Sequence, residues 1–335
     1  MKFGKRFITL GIILGFVVTL WLPATSSAET LRLVTNWSKN TYLIEQTLKW
    51  ADEFNKSAAA KAAGVNIVHV GGPEVTPAIE QQTAVRKGVF DMLHGAAGYY
   101  VGQVPEGYVF YGTDITPMEA RATGGTALLN KIWGKKANLH ILGWVAAGVG
   151  YHVWLSKEPK LKSDGTPDLS GLKIRSSGLY RAWLTSLGAT NVMIPAPDIY
   201  SALERKLVDG AAWPGLGIRD FGFEKFIKYR LDPMVWQFDN LLTVNLDKWK
   251  SLSKAARDAL QASAIKYEKD VYAYYATLVD DDREAVAKAG VKSFLLKGEG
   301  AKKYIANAQS ITWAQIKKNA PENYDALRAK FPPSK

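Results

Sequence analysis

The residue best suited to chemistry in this chain is Arg175, which closes the short run Lys173-Ile174-Arg175. Its guanidinium stays charged and presents a planar fork of donors that fits a carboxylate through two parallel hydrogen bonds. An arginine at the end of a strand serves equally well to pair a structural carboxylate or to hold one on a ligand. Signs of covalent chemistry are few. The chain has no cysteine, so thiol nucleophiles, disulfides and thiolate-ligated metals are excluded. His69, His94, His140 and His152 never stand at the i, i+4 spacing of a helical zinc site. There is no G-x-S-x-G elbow and no phosphate-binding loop. Ser170-Gly171-Leu172-Lys173 matches S-x-x-K, but that motif needs its serine at a helix start, and here a glycine and a strand follow.

The elements that must position Arg175 lie between Gly171 and Pro214. Lys173–Arg175 reads as a strand. Leu179–Leu187 reads as a helix with Leu179, Trp183 and Leu187 on one stripe and Gly188 past its end. Val192–Ile194 is a second strand, Asp198–Lys206 a second helix and Val208–Trp213 a third strand. A strand–helix–strand–helix–strand series builds a parallel sheet. Ligands of such sheets sit beyond the carboxyl ends of the strands, where Arg175 and Trp213 fall.

The same stretch carries Gly171-Leu172-Lys173-Ile174-Arg175, Leu187-Gly188-Ala189, Tyr200-Ser201-Ala202-Leu203 and Val208-Asp209-Gly210. In this order and spacing they resemble the signature region of the periplasmic solute receptors of TRAP (tripartite ATP-independent periplasmic) transporters, of the C4-dicarboxylate-receptor (DctP) type. The similarity extends more loosely over nearly the whole mature chain. The resemblance implies an α/β, two-lobed periplasmic binding protein fold, with a hinge and a long helix spanning both lobes. It implies that Arg175 clamps the carboxylate of an organic acid between the lobes. It also implies closure by hinge motion, delivery to the membrane permease subunits, and no catalysis, so no catalytic residues and no cofactor. His152 falls at the hinge strand where many members place a second polar contact, a role that ordinary strand packing matches in weight. Asn36 and Trp37 match the first-strand contact region. Tyr99 falls where the sialic-acid type carries a basic residue, and Asn240 near a polar contact on the returning strand. Where α-keto-acid receptors have Glu-Trp and a bound metal ion, this chain has Ala212-Trp213, so no metal is expected. Aromatic residues at family positions that are otherwise polar favour a monocarboxylate with an apolar or aromatic body over a sugar acid; a sulfonate would satisfy Arg175 as well.

The chain is long enough for one large or two ordinary domains, at 335 residues. Met1–Ala28 reads as a cleaved secretory leader, with a basic start, an apolar run from Phe7 to Leu22 and a small-residue site at Ser26-Ser27-Ala28. The expected location is therefore the periplasm. The net charge of +12 includes Lys2, Lys5 and Arg6 of that leader. The remaining basic residues are scattered, with no nucleic-acid motif, so nucleic acid is not an expected partner. Ser253 to Ala289 contains neither glycine nor proline, and Leu260, Ala264, Tyr267, Val271, Tyr274 and Leu278 recur at helical steps. Such a helix would run about 55 Å at 1.5 Å per residue and reach across both lobes. The expected division is 29–152 with 241–280 as lobe I and 153–240 with 281–335 as lobe II. Two other functions remain open at this stage: a periplasmic hydrolase using His152 with Asp239, and a ligand-sensing partner of a signalling protein.

Overall fold

The structure, a computed structural model, describes Met1 and residues 28–332. The expected leader lies outside the described residues except at its two ends. The chain opens with β1 (Glu29–Thr35), α1 (Tyr42–Lys56), α2 (Ala58–Ala63), β2 (Val65–Gly71), α3 (Ala78–Arg86) and β3 (Met92–Ala96). Two 3-10 segments, α4 (Pro117–Ala122) and α5 (Gly125–Ala137) lead to β4 (Leu139–Trp144). Then come β5 (Tyr151–Leu155), the small hairpin β6 (Lys160–Leu161) and β7 (Pro167–Asp168), and the expected alternating unit. That unit is β8 (Lys173–Ser176), α6 (Arg181–Ser186), β9 (Thr190–Met193), α7 (Ile199–Glu204) and β10 (Gly210–Pro214). The chain finishes with β11 (Tyr229–Asp232), β12 (Asn240–Asn245), α8 (Leu246–Ser251), α9 (Lys254–Lys288), β13 (Lys292–Leu295), α10 (Gly298–Asn319) and α11 (Pro321–Lys330).

The strands form two main sheets, ordered β2-β1-β3-β12-β4 and β13-β11-β5-β10-β8-β9, each the centre of one lobe. β8 pairs in parallel with both β9 and β10, as the alternation of strand and helix requires. The chain crosses between sheets after β4, returns before β12, and crosses again along α9. Ser253 caps α9 by accepting the Ala256 N–H at 3.1 Å, and Gly290, at φ 91°, follows its end. The 35 residues of α9 span roughly 52 Å. Its first half packs on the first lobe, where Tyr267 stacks on Trp50 at 5.3 Å and Glu268 accepts from Arg121. Val286, near its far end, is buried with Trp154 and Val208 of the second lobe.

The tail packs against both lobes. α10 packs against the 3-10 helix Pro105–Tyr111 of the first lobe, and α11 against α5. The reason is steric and specific. Trp313 covers the bare face of Gly112 and donates its indole N–H to Gly112 O at 2.7 Å. Phe331 fills the space over Gly125, where a Cβ would approach its ring to 2.7 Å. α10 thus bridges the lobes: its first half meets the second lobe, where Tyr304 lies 5.7 Å from Trp183 and Asn307 donates to Ser186 Oγ at 2.7 Å, and its second half returns with α11 to the first.

Candidate functional site

The cleft between the sheets is built where strands end. β1 ends before Trp37, β3 before Gly98 and Tyr99, and β8 before Ser177 and Tyr180, while β10 supplies Trp213 and Pro214 at its own end. The two connections contribute Tyr151, at the start of β5, and Phe238 and Asp239, just before β12. The cleft holds about 570 Å³ of empty space, its mouth included. Its walls are aromatic. Trp37 lies 5.6 Å from Phe238 and 6.2 Å from Tyr99, ring to ring, and Tyr151 lies 5.5 Å from both Tyr180 and Phe238. Tyr42, from α1 of the first lobe, meets Gly217 of the second, where a Cβ would stand 3.1 Å from its ring.

Arg175 is the cation of this wall and is only 4% exposed. Its Nε donates to Ile194 O at 2.9 Å and its Nη1 to Ala212 O at 3.2 Å. The guanidinium carbon lies 5.4 Å from the centre of the Trp213 ring. No carboxylate among the described residues pairs with it; Nη2 has no protein partner there. Burial lowers its pKa, and the nearby hydroxyls of Tyr180, Tyr99 and Tyr151 pull the other way. A guanidinium held by neutral carbonyls, stacked on an indole and lacking a counter-ion is arranged to receive an anion.

Of the residues the sequence singled out, Arg175, Trp213, Trp37 and Tyr99 line the cleft together. Three others do not. Asn36 is spent as a bracket: its Nδ2 donates to Ala78 O at 3.0 Å and Gln81 Oε1 at 2.9 Å, and its Oδ1 accepts from Ala96 N at 2.9 Å. Asn240 is buried outside the cleft lining, and its side-chain amide has no hydrogen bond among the described residues. His152 shares a sheet face with Trp213, its partner across β5 and β10, but turns away from Arg175 toward β11. Its Nδ1 stands 3.1 Å from both Leu231 O and Asp232 Oδ1, in a separate cavity beside Arg230 and the far half of α9. Burial would push the Asp232 carboxyl up, but hydrogen bonds from His152, Arg230 and Ser293 hold it well below the usual carboxylate range. The hydrolase pair is therefore not assembled, because His152 serves Asp232 and Asp239 serves Gly98 and Tyr151.

Sequence reasoning missed Tyr151, Tyr180, Phe238 and Asp239 as lining residues. The available signal for Tyr151 and Asp239 was position, since both sit where the chain changes sheets. Asp239 is the one carboxylate of the lining, fully buried; burial pushes its pKa up, against hydrogen bonds that favour the anion.

The family model of bacterial extracellular solute-binding protein, family 7 (DctP), matches residues 33–319. The chain belongs to this family. It is an extracellular solute-binding protein, a binding protein rather than an enzyme. It is 26% identical over 276 residues to a monocarboxylate 2-oxoacid-binding periplasmic protein of Nostoc sp., covering 78% of this chain and 72% of that protein. The fold is that of solved TRAP-transporter binding proteins. One, from Desulfovibrio salexigens with bound orotic acid, superposes with a TM-score of 0.76 at 18% identity, over 89% of this chain and 96% of that one. Another, from Bordetella bronchiseptica with copurified calcium and picolinate, gives a TM-score of 0.74 at 21% identity, over 90% of each chain. No helix among the described residues is long and apolar enough to cross a membrane.

Proposed function

We propose that this protein is the periplasmic receptor of a TRAP transporter and binds an organic monocarboxylate with an apolar or aromatic body in the cleft. Arg175 holds the ligand's carboxylate, the lobes close over the rest, and the loaded receptor meets its membrane permease. The observation that carries the reading is the buried Arg175 guanidinium, which faces an aromatic cleft and is paired with no carboxylate among the described residues. A charge-assisted hydrogen bond contributes about 1.5–3 kcal/mol, and a buried charge left alone costs more, so the anion belongs to the working form. Trp37, Tyr99, Tyr180 and Trp213 supply flat apolar surface for the ligand body rather than the polar contacts a sugar acid needs. The 2-oxoacid-binding relative supports the class, while solved neighbours bind picolinate and orotic acid and also the sugar acids glucuronate and galacturonate. The leader and the periplasmic relative support the compartment.

A thermal-shift panel on the chain beginning after Ala28 tests the proposal. Ligand binding to the folded state raises the melting temperature by mass action. Aromatic and 2-oxo monocarboxylates are expected to raise it most, with sugar acids and C4 diacids below them. The reverse ranking, confirmed by calorimetry, would remove the monocarboxylate assignment.

A further inference from the structure

Besides Arg175, the cleft lining has an ionisable carboxyl group, Asp239. Asp239 Oδ2 accepts the Gly98 backbone N–H, and its Oδ1 accepts the Tyr151 hydroxyl at 3.2 Å. Gly98 is required for this approach, because a Cβ there would stand 2.6 Å from the Tyr111 hydroxyl and 3.2 Å from Asp239 Oδ2. The Tyr111 hydroxyl, which has no other partner among the described residues, lies against the same carboxylate, so three donors leave about one of its four or so lone-pair sites for a ligand. The Tyr151 hydroxyl donates to Asp239, so its oxygen acts as an acceptor, toward the neighbouring Tyr180 hydroxyl or a ligand. This wall of the cleft therefore offers acceptors, whereas the Arg175 wall offers donors. Both charges act across one small space. Burial pushes up the hydroxyls of Tyr99 and Tyr180; on each of them Arg175 pulls down and Asp239 pushes up.

We propose that Asp239, through its remaining lone pair and the Tyr151 oxygen it orients, makes this receptor specific for carboxylates that carry an N–H donor in or beside the ring, at the end away from Arg175. The inference rests on the monocarboxylate reading and narrows it. An acid of the same shape with an acceptor in place of the N–H would put two acceptors face to face in a buried site, which costs more than a missing contact.

Pyrrole-3-carboxylate and furan-3-carboxylate differ in this one respect, N–H against ring oxygen on the ring edge away from the carboxylate, and make the test by calorimetry. The wild-type protein is expected to bind the pyrrole acid about tenfold or more tightly than the furan acid, the size of one hydrogen bond to a charged acceptor. In Asp239→Asn the side-chain oxygen still accepts from Gly98, but the amide now donates to Tyr151. The phenol proton is released into the cleft, and the preference should collapse or reverse. Equal binding of the two acids, lost in Arg175→Ala, would overturn this inference and leave the receptor reading standing. A preference that survives Asp239→Asn would remove Asp239 as its cause. Binding of neither acid overturns the inference, and takes the proposed function with it if no monocarboxylate of the panel binds either. Should Asp239→Asn fail to fold, the wild-type pair of affinities still decides the ligand class.

Discussion

Two buried arginines lie on one face of the six-stranded sheet, each over a tryptophan, and they differ in a single respect. Arg175 stands 5.4 Å from the Trp213 ring centre and Arg230 stands 5.7 Å from that of Trp154. The register from β8 through β10 and β5 to β11 places all four side chains on the same side. Arg230 has its counter-ion within the fold: Nε lies 3.0 Å from Asp232 Oδ1 and Nη2 lies 2.9 Å from Oδ2. His152 and Ser293 complete that cluster under α9. Among the described residues Arg175 has two backbone carbonyls as hydrogen-bond partners, and it opens onto the cleft. Where the protein supplies the carboxylate, the arginine belongs to the architecture. Where it does not, the carboxylate must arrive from outside.

The sharpest way to break this comparison is Arg175→Ala. Affinity for any carboxylate ligand should fall by about 100-fold or more, the loss of a charge-assisted pair. The melting temperature of the unliganded protein should hold or rise, because a buried charge without a partner has been removed. Calorimetry and circular dichroism together check it, and a fall in affinity that merely tracks unfolding would place Arg175 with Arg230.

Asp232→Ala should do the opposite. It strands Arg230 and should cost about 3–5 kcal/mol of stability in urea unfolding, with ligand affinity changed by no more than a few-fold. The pH dependence follows in sign. The Asp232 carboxyl is held low in the folded state, so its contribution is fully present above the unfolded carboxylate pKa of about 3.9. It is lost as pH falls through the lower folded value, and the variant should lack that part of the acid sensitivity.

The smallest effect belongs to His152→Gln. Affinity should be unchanged, and stability should drop by about 1 kcal/mol, the scale of one hydrogen bond. A large loss of affinity would show that the Asp232 cluster communicates with the cleft.

Much of this arrangement was legible beforehand. The parallel unit from β8 to β10 follows from short apolar runs separated by amphipathic pieces. The long helix follows from a glycine- and proline-free stretch bounded by Ser253 and Gly290. Its buried face was read correctly from Leu260 to Val271 but slipped by one residue beyond. Tyr275 is buried and Tyr274 is 41% exposed, because a strict alternation of three and four drifts against a helix of 3.6 residues per turn. His152 was placed by resemblance at a contact position. In β5 the cleft residue is its neighbour Tyr151, and period-two alternation cannot tell which of two adjacent residues will face a ligand. Asn36 has the chemistry of a ligand contact but is consumed by Gln81, Ala78 and Ala96, a set of partners spread over 60 residues of chain.

The two arginines mark the boundary between what the sequence decided and what it left to folding. Arg230 and Asp232 are two apart on one strand, so alternation alone puts them on one face and within reach. An ion pair between them is a local fact that the sequence determined. The strand-end position of Arg175 is local too. That no described carboxylate pairs with it, that Asp239 lines the same cleft, and that rings from both lobes enclose the space are statements about every side chain brought there by long-range packing. Only the tertiary structure, which sets those distances, could decide them.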